Sequence, residues 1–301
     1  MPIRLGINPI TWSNDDMPEL GGMTSLETCL AEASQAGYAG IELGNKFPRE
    51  SGRLRPILER FGLALVSGWY SARLLERSVD AEIRAMEPHL RLLGEMGCDV
   101  MVFAETTGSV AGNRSWPVSR RPKLGEKDWP GFAERLTAVG DHLARHGLRM
   151  AYHHHMGTVI ESEEEIDRLM AGTGGSVGLL LDTGHLTYAG ADPAAVARRH
   201  LGRINHVHCK DVRPPVLVAM RKKRASFLDA VLAGVFTVPG DGGVAFGPVL
   251  EALKSAAYAG WLVVEAEQDP AKAHPLTYAR MGHDYLLNAG RQAGLLEAGA
   301  P

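Results

Sequence analysis

The chain has 301 residues, of which 45% are hydrophobic and 22% charged, and its formal net charge is −3 at pH 7. This composition is typical of a globular protein, and the small negative charge gives no general attraction to nucleic acid or to anionic membranes. No run of about eighteen apolar residues occurs, and the amino terminus lacks a signal-peptide pattern, so we predict neither a membrane span nor secretion.

Eight short apolar runs alternate with longer segments of helical periodicity along the chain. Apolar residues three and four positions apart indicate the helices, as in Leu26, Leu30 and Ala33. Several predicted helices end at a glycine that can adopt the left-handed conformation, for example Gly37 and Gly62. In chain order the predicted strands are Arg4–Asn8, Gly40–Leu43, Leu63–Gly68, Val100–Ala104, Arg149–His153, Gly178–Asp182, Ile204–His208 and Leu262–Glu265.

Eight alternating units with almost continuously apolar strands predict an α/β protein with a parallel (β/α)8 barrel, the TIM barrel, rather than an open doubly wound sheet. No linker rich in Pro, Gly or Ser divides the sequence, so we expect residues 1–301 to form a single domain. The last residues, Glu297–Pro301, are expected to be frayed. Two long segments after predicted strands, Glu105–Asp128 and Val212–Gly243, are expected to be loops that act as lids or contact partners.

The three cysteines, Cys29, Cys98 and Cys209, are far apart and show no Cys-x-x-Cys spacing. An odd number of scattered cysteines argues against a disulfide framework or a zinc ribbon and fits a reducing cytoplasm. The run Arg221–Arg224 is a local basic feature that could contact a phosphate, although such runs are more often solvated surfaces. We therefore expect a cytoplasmic protein without nucleic-acid or membrane partners.

Polar side chains lie at the carboxyl ends of the last four predicted strands. His153, Asp182, His208 and Glu265 each end one apolar run. In a (β/α)8 barrel these strand ends meet at one mouth, which is where TIM-barrel enzymes have their active sites. Two imidazoles and two carboxylates suit Mn²⁺, Co²⁺, Zn²⁺ or Fe²⁺ better than Ca²⁺. The sequence therefore predicts a metal enzyme.

Alternation along a strand decides which histidines reach that mouth together. His206 and His208 share a face, and we prefer His208 as the ligand because it lies closer to the end of its strand. In the run His153–His155 the first and third residues share one side and the second faces the other. Taken alone, each histidine could be an ordinary buried residue, and Asp182 could simply cap the following helix. Glu265, a carboxylate at the end of an apolar strand, favours a bound cation.

Further polar and aromatic residues are expected at the same mouth. Lys46 is predicted there as a catalytic residue, and Glu267 could orient a histidine or a substrate hydroxyl. Strand-end hydrogen bonding or loop packing is the alternative interpretation for Asn8, Trp12, Glu42, Lys46, Trp69 and Glu105. The predicted substrate contacts are Asn8, Trp12, Glu42, Trp69, Glu105, His155 and Arg213.

The second half of the chain carries four motifs in order. They are Asp182-Thr-Gly-His185, His206-Val-His-Cys-Lys-Asp211, Pro239-Gly-Asp-Gly-Gly243 and Gly260-Trp-Leu-Val-Val-Glu265. This set resembles the xylose isomerase-like TIM barrels, a family of sugar isomerases, epimerases and dehydratases. The resemblance implies a barrel with a divalent metal at its mouth.

Motifs in the first half, and one in the middle, narrow the resemblance to the myo-inosose-2 dehydratases of inositol catabolism. They are Gly6-Ile-Asn-Pro-Ile-Thr-Trp12, Asn14-Asp-Asp16, Pro18-Glu-Leu-Gly-Gly22, Leu26-Glu-Thr-Cys-Leu-Ala-Glu32, Ile41-Glu-Leu-Gly-Asn-Lys-Phe-Pro-Arg49 and Tyr152-His-His-His-Met-Gly-Thr158. The resemblance spans nearly the whole chain. It implies a hydro-lyase that converts 2-keto-myo-inositol, a small polyol ketone, to a trihydroxycyclohexane-1,2-dione.

The same resemblance bears on cofactors and partners. It implies Mn²⁺ or Co²⁺ as the preferred metal, leaves Zn²⁺ and Fe²⁺ open, and leaves glutathione open as a thiol cofactor. Related barrels often associate through their long loops, so a homo-oligomer is a further open alternative.

The family commonly holds its ion with Glu, Asp, His and Glu from the fifth to the eighth strand. By this match the resemblance implies Asp182, His208 and Glu265 as ligands, and the first position falls on His153, which removes one carboxylate. Two alternatives follow: either His153 is the fourth ligand, or water or substrate completes the set. In the family's epimerases two metal-bound carboxylates serve opposite faces of the substrate, so losing one is consistent with a single-base elimination.

The implied reaction begins with loss of the proton next to the ketone and continues with loss of the β-hydroxyl. We assign proton removal to Glu265 or to a histidine of the run 153–155, and assistance to the departing hydroxyl to His185, Lys46 or Glu105. Rival functions are an isomerase or epimerase on the same metal site, a DNA-repair endonuclease on a similar barrel, and a sugar-binding barrel without turnover. The slightly acidic net charge argues against the endonuclease.

Overall fold

The computed structural model describes residues 3–296 and contains a closed parallel barrel of eight strands. All strands but β8 and β9 belong to this barrel, in which β10 pairs with both β1 and β7 to close the ring. The predicted (β/α)8 barrel is therefore confirmed. In chain order the strands are β1 (Arg4–Ile7), β2 (Gly40–Leu43), β3 (Ala64–Ala72), β4 (Val100–Glu105), β5 (Arg149–His153), β6 (Val177–Asp182), β7 (Ile204–Cys209), β8 (Asp211–Val212), β9 (Phe236–Thr237) and β10 (Trp261–Val264).

Eleven α-helices occur among residues 3–296, and most of them pack around the barrel. Several start at a serine whose hydroxyl accepts a backbone N–H of the first turn, as Ser25 does for α1 and Ser162 for α5. In chain order the helices are α1 (Leu26–Gln35), α2 (Ser51–Arg60), α3 (Val79–Glu95), α4 (Trp129–Arg145), α5 (Glu163–Gly172), α6 (Thr183–Ala189), α7 (Pro193–Arg199), α8 (Pro214–Lys223), α9 (Phe227–Leu232), α10 (Phe246–Ser255) and α11 (Pro275–Gln292). Within this described part of the chain, no helix combines the length and apolar character needed to cross a membrane.

Side-chain alternation divides each barrel strand between an inner and an outer layer. Outward residues pack against the helices in the main core, whereas small inward clusters fill the barrel. Gly40 makes room for the Trp261 ring at the amino-terminal end, because a Cβ there would lie 2.7 Å from a ring carbon. One inward cluster is formed by Val100, Val102, Ala151 and Leu180. Along each strand, every second side chain continues to point into the barrel as far as the mouth. This alternation decides which side chains at the strand ends face the mouth.

The segment 212–243 was expected to be a long loop, and this expectation is wrong. The chain forms α8 and α9 there, and β8 pairs with β9 in an antiparallel ribbon. Phe227, Phe236 and Leu217 form part of a second buried core together with Met156 of the segment after β5. Enough apolar side chains lie in this segment to bury a core of their own, so it folds as a structured cap beside the mouth.

The segment after β4 has little regular structure, as expected, and contains one short 3-10 turn at Val118–Arg120. Arg121 joins it to the neighbouring unit: its guanidinium contacts Glu165 at 2.8 Å and Glu161 at 3.2 Å, and donates to the Thr158 carbonyl at 3.2 Å. Strand β3 also differs from expectation, because it continues past Gly68 to Ala72. The expected fraying of Glu297–Pro301 lies outside the described residues.

Candidate active site and metal centre

The carboxyl ends of β5, β6, β7 and β10 bring four predicted ligands together at the barrel mouth. One donor atom from each of His153, Asp182, His208 and Glu265 lies within 4.8 Å of the others. His153 Nε2 and His208 Nδ1 both lie 3.5 Å from Asp182 Oδ2, and His208 Nδ1 lies 2.9 Å from Glu265 Oε2. All four residues are buried. Each occupies an inward position of its strand, which is why they converge.

Hydrogen bonds on the far side of each imidazole decide which nitrogen faces this cluster. His153 Nδ1 donates to the His154 carbonyl at 2.6 Å, which turns Nε2 toward Asp182. His208 Nε2 donates to Glu42 Oε1 at 3.2 Å, which turns Nδ1 toward Asp182 and Glu265. His154 points to the other side of β5, as alternation requires, and its Nε2 accepts from the Asp182 backbone N–H.

The cluster contains buried polar atoms that no hydrogen bond satisfies. Asp182 Oδ2, His208 Nδ1 and Glu265 Oε2 form no hydrogen bond within the described chain, although Glu265 Oε2 lies 2.9 Å from His208 Nδ1 and 3.1 Å from the Lys210 ammonium. Unsatisfied buried atoms are costly, and a group of them aimed at one point is what a cation would satisfy. Two nitrogen and two carboxylate donors also match the preferences of first-row divalent ions. The residues present therefore fit a divalent metal.

Charges around His208 shift its pKa. Burial lowers the pKa of this imidazole, but Glu42 and Glu265 outweigh burial and raise it well above its ordinary value. Asp182 is held ionised: burial raises its pKa, but the charge of Lys210 and the neighbouring histidines bring the pKa well below the ordinary range.

Lys210 is a fully buried ammonium directly beneath the carboxylates. Its Nζ lies 2.8 Å from Glu267 Oε2, 3.1 Å from Glu265 Oε2 and 3.7 Å from Asp182 Oδ2. It also lies 3.0 Å from His185 Nε2. Burial alone would lower the pKa of Lys210, but the three carboxylates more than reverse this and keep it charged. Lys210 therefore holds three acidic side chains around one point.

Gly184, in the Asp182-Thr-Gly-His185 motif, explains how the lysine reaches that position. A Cβ on Gly184 would lie 2.4 Å from Lys210 Cγ and 2.6 Å from Cδ. The lysine stem passes against the bare backbone at the start of α6, and no side chain larger than hydrogen fits there without displacing it. The motif thus requires glycine at position 184 because the side chain of Lys210, which follows β7, packs directly against its backbone.

A cavity of about 420 Å³ opens over the cluster and is lined by both halves of the barrel mouth. Its volume is in the range of pockets that bind small molecules. Two of the proposed ligands, His208 and Glu265, line it directly, as does Glu267. Other lining residues include Asn8, Asp15, Asp16, Glu42, Asn45, Arg49, Trp69, Ser71, Thr106, His155 and Thr158. The cavity walls are rich in hydrogen-bonding groups.

Several titratable groups that line the cavity have shifted pKa values, Glu267 and His155 among them. Burial raises the pKa of Glu267 to about 7 although Lys210 opposes the shift. Burial, with the neighbouring His153 and Lys210, lowers the pKa of His155 to about 3, so this imidazole is neutral. His155 Nδ1 donates to the Met156 carbonyl at 2.8 Å, which leaves its Nε2 as an acceptor.

The structure brings together only some of the residues predicted from sequence. Asn8, Glu42, Trp69 and His155 line the cavity, beside the four proposed metal ligands. His185 is buried behind the cavity, where its ring centroid lies 4.0 Å from that of His155 at a tilted angle and its Nε2 contacts Lys210. Its place is therefore beneath the site rather than in contact with a substrate.

Trp12 and Lys46 point away from the cavity, in contrast to their predicted roles. The Trp12 indole is buried and donates to Glu32 Oε2 at 2.6 Å. Lys46 Nζ donates to the carbonyls of Gly21, Gly22 and Thr24 at 3.0, 3.1 and 2.5 Å. Both residues lie in loops, where tertiary contacts decide the direction of a side chain. They hold the loop between β1 and α1 in place.

Glu105 and Arg213 also have structural partners instead of the predicted place in the cavity. Glu105 occupies an outward position at the end of β4, and its carboxylate accepts the backbone N–H groups of Leu74 and Thr107 at 2.6 and 2.8 Å. Arg213 extends over the ribbon of β8 and β9, where it contacts Asp241 at 2.6 Å and the Gly234 carbonyl at 2.8 Å. The first residue shapes a loop and the second stabilises the cap.

Sequence reasoning missed Lys210 and the acidic rim of the cavity. Lys210 follows His206 and His208 in steps of two, so alternation along β7 already predicts that it faces inward. Asp15 and Asp16 lie in the Asn14-Asp-Asp16 motif, and Arg49 ends the motif that begins at Ile41. These loop residues carry no periodic signal, and the tertiary structure is what brings them to the rim.

The chain matches the family model described as xylose isomerase-like TIM barrel over residues 30–289. It is 54% identical to the rhizopine catabolism protein MocC of Rhizobium meliloti, over 98% of this chain and 90% of the relative. It is 47% identical to the inosose dehydratase of Geobacillus thermodenitrificans, over 94% of this chain and 96% of the relative. Among solved structures, the IOLI protein with a bound zinc atom superposes with a TM-score of 0.70 and 15% identity, over 96% of this chain and 99% of that chain.

Proposed function

This chain belongs to the xylose isomerase-like TIM barrel family, and from that premise we propose that it is a metal-dependent hydro-lyase that dehydrates an inosose. The observation that carries the proposal is the cluster of His153, Asp182, His208 and Glu265, whose unsatisfied buried atoms face the floor of a cavity. Relatives named inosose dehydratases, similar over nearly the whole chain, support the reaction. The proposed substrate is 2-keto-myo-inositol.

The proposed reaction removes one molecule of water and changes no oxidation state overall. The C–H bond next to the ketone breaks, its proton passes to a base, and its electron pair forms a double bond to the carbonyl carbon while the carbonyl π pair moves onto oxygen as an enolate. That pair then re-forms the carbonyl, the double bond shifts to the α and β carbons, and the C–O bond of the β-hydroxyl breaks, so that the hydroxyl takes up a proton and leaves as water. Tautomerisation of the resulting enol gives a trihydroxycyclohexane-1,2-dione. A bound divalent metal supplies Lewis acidity, which makes the proton next to a ketone easier to remove.

We assign proton removal to Glu265, which lines the cavity and whose Oε2 lies 2.9 Å from His208 Nδ1 and 3.1 Å from Lys210 Nζ. Glu267 lies two residues further along and lines the same cavity, and we assign to it the return of a proton to the departing hydroxyl. His153 is assigned to the ligand set together with Asp182, His208 and Glu265.

Of the residues with hydrogen-bonding side chains that line the first half of the mouth, three are assigned to the ring hydroxyls: Asn8, Ser71 and Thr106. Trp69 also lines the cavity, is 40% exposed and offers an apolar face to the polyol ring. Lys46 and Glu105 have no part in this assignment, because their side chains contact loop backbone.

The metal is proposed to be Mn²⁺ or Co²⁺, because mixed imidazole and carboxylate donors suit these ions, with Zn²⁺ and Fe²⁺ as alternatives. Metal should be removed with a chelator and each ion returned separately. The expected result is that activity disappears on removal and returns with Mn²⁺ or Co²⁺. Full activity in the chelated enzyme would contradict a metal-dependent reaction. A requirement for glutathione stays a prediction, to be checked by adding the thiol to the same assay.

Proton NMR of the reaction with 2-keto-myo-inositol tests the assignment directly. Elimination creates a methylene group in the dione, whereas isomerisation or epimerisation creates none. Glu82→Gln controls for the general effect of replacing a buried carboxylate. Glu82 is buried, contacts Tyr70 and Arg73, and lies outside the cavity lining. Methylene signals with wild type and with the control support a dehydratase. Conversion without methylene signals would instead identify an isomerase or epimerase.

A second candidate substrate follows from the relative named as a rhizopine catabolism protein. Its identity of 54% exceeds the 47% of the inosose dehydratase from Geobacillus thermodenitrificans. This difference favours an intermediate of rhizopine breakdown as an alternative substrate for the same site. Comparing kcat/KM for rhizopine-derived ketones with that for 2-keto-myo-inositol separates the two candidates.

A further inference from the structure

Glu42 is a buried carboxylate on β2 that contacts both inward histidines of β7. Its Oε1 accepts from His206 Nε2 at 2.9 Å and from His208 Nε2 at 3.2 Å. The same oxygen accepts from Ser67 Oγ at 2.5 Å, and Oε2 accepts from Asn8 Nδ2 at 2.7 Å. Four donors from different parts of the barrel thus hold one carboxylate in a single orientation.

An imidazole presents its two nitrogens in different directions, and a hydrogen bond on one nitrogen decides what the other can do. An ionised carboxylate can only accept, so His208 keeps a proton on Nε2 as long as it contacts Glu42. Nδ1 is then the nitrogen that faces Asp182 and Glu265. Turning the ring over would leave Glu42 with one donor fewer inside the barrel, where an unpaired charge is costly.

We propose that Glu42 is a positioning residue that holds the Nε2 proton of His208 and thereby presents Nδ1 to the divalent metal. The inference rests on the proposed function, because the metal is what Nδ1 would bind. It places His206 outside the ligand set, as a second donor that fixes Glu42. Glu42, His206 and His208 are also close enough together to hold a second metal ion. We do not assign one there, because Glu42 Oε1 already accepts hydrogen bonds from the Nε2 atoms of both histidines.

The first test compares Mn²⁺ affinity in wild type, Glu42→Gln and Glu82→Gln. An amide at position 42 can turn its NH2 group toward His208 and favour a proton on Nδ1, the atom that must bind metal. We expect Kd for Mn²⁺ to rise about 10-fold to 100-fold in Glu42→Gln, as for other residues that orient metal ligands. The Glu82→Gln variant loses a buried carboxylate that touches no histidine, and its Kd should stay that of wild type.

The second test uses protein labelled with ¹⁵N-histidine and needs no metal. In the metal-free wild type, the Nε2 protons of His206 and His208 should exchange slowly with solvent, because both are buried and bonded to Glu42. Glu42→Gln should lose this protection, whereas Glu82→Gln should keep it. If Glu42 had only a structural role, Glu42→Gln would lower stability without a specific increase in the exchange rates of these two Nε2 protons.

The outcomes separate this inference from the proposed function. Unchanged Mn²⁺ affinity in Glu42→Gln, or an equal loss in Glu82→Gln, would overturn the positioning role while leaving the metal enzyme intact. Absence of Mn²⁺, Co²⁺, Zn²⁺ and Fe²⁺ binding in wild type would overturn the proposed function itself. Two ions per chain, reduced to one by Glu42→Gln, would make Glu42 a ligand and also overturn the inference. If Glu42→Gln does not fold, Glu42→Asp serves instead, because its shorter side chain withdraws the oxygen from His208.

Discussion

The two halves of the barrel mouth are built alike and used differently. In the second half, the ends of β5, β6, β7 and β10 point four metal-binding side chains at one position. In the first half, the ends of β1 to β4 also carry polar residues. Some of these side chains line the cavity, whereas others form hydrogen bonds with loop backbone. The same type of residue, a buried carboxylate at a strand end, therefore has opposite roles in the two halves.

Glu265 and Glu105 show the difference most clearly. Glu265 follows an inward Val263 by two residues, so it faces the cavity. Glu105 follows an inward Val102 by three residues, so it faces outward and accepts backbone N–H groups. Position within the alternation of a strand, rather than residue type, decides whether a carboxylate serves chemistry or loop structure.

The largest expected effect comes from making the same substitution in both halves. Glu265→Gln should lower kcat/KM by about 10²–10⁴-fold, the range attributed to a catalytic acid or base. Glu105→Gln should retain most of kcat and instead lower the melting temperature, because it weakens contacts to the loop after β3. Steady-state kinetics and thermal denaturation of both variants provide the measurement. Equal losses of kcat in the two variants would contradict the assignment of Glu265 to catalysis and Glu105 to loop structure.

Removing the central cation of the second half should strongly destabilise the protein. Lys210→Met leaves Asp182, Glu265 and Glu267 without their buried partner. We expect the free energy of unfolding to fall by about 3–5 kcal/mol, the usual result of breaking a buried ion pair. Urea denaturation of the metal-free wild type and variant measures this difference in the free energy of unfolding. A change below about 1 kcal/mol would mean that the carboxylates find another counter-charge.

A smaller loss is expected from closing the passage of the lysine stem. Gly184→Ala would bring a methyl group within 2.4 Å of Lys210 Cγ, and overpacking of this kind costs about 1–3 kcal/mol. Gly52→Ala is the control, because a Cβ there meets nothing within 4 Å and the residue lies in α2. The control should keep or slightly raise the free energy of unfolding. If both variants behaved alike in urea denaturation, the contact with Lys210 would have no special importance.

The smallest effect is expected for Lys46, in the first half. Lys46→Met removes hydrogen bonds to three exposed loop carbonyls and should lower the free energy of unfolding by about 1 kcal/mol. We expect kcat to stay close to that of wild type, since its ammonium does not face the cavity. Steady-state kinetics check this. A loss of kcat comparable to that of Glu265→Gln would restore the catalytic role predicted from sequence.

Local patterns in the sequence were sufficient to predict the barrel and the four proposed ligands. Strand-helix alternation is a local property, and in a parallel barrel every strand end arrives at the same mouth. His153, Asp182, His208 and Glu265 could therefore be grouped without coordinates, and the structure places their donor atoms within 4.8 Å. Lys210 was equally accessible to this reasoning, because it continues the inward alternation of His206 and His208.

Only the tertiary structure decided where the loop residues point and how the segment after β7 folds. Trp12, Lys46 and Arg213 turn to partners outside the cavity lining, and no periodicity in a loop specifies such partners. Phe227 and Phe236 build a second core because α8, α9, β8 and β9 come together in space. Alternation is set by the backbone of one strand, whereas the direction of a loop side chain depends on contacts between distant segments, and that is the physical reason for the division.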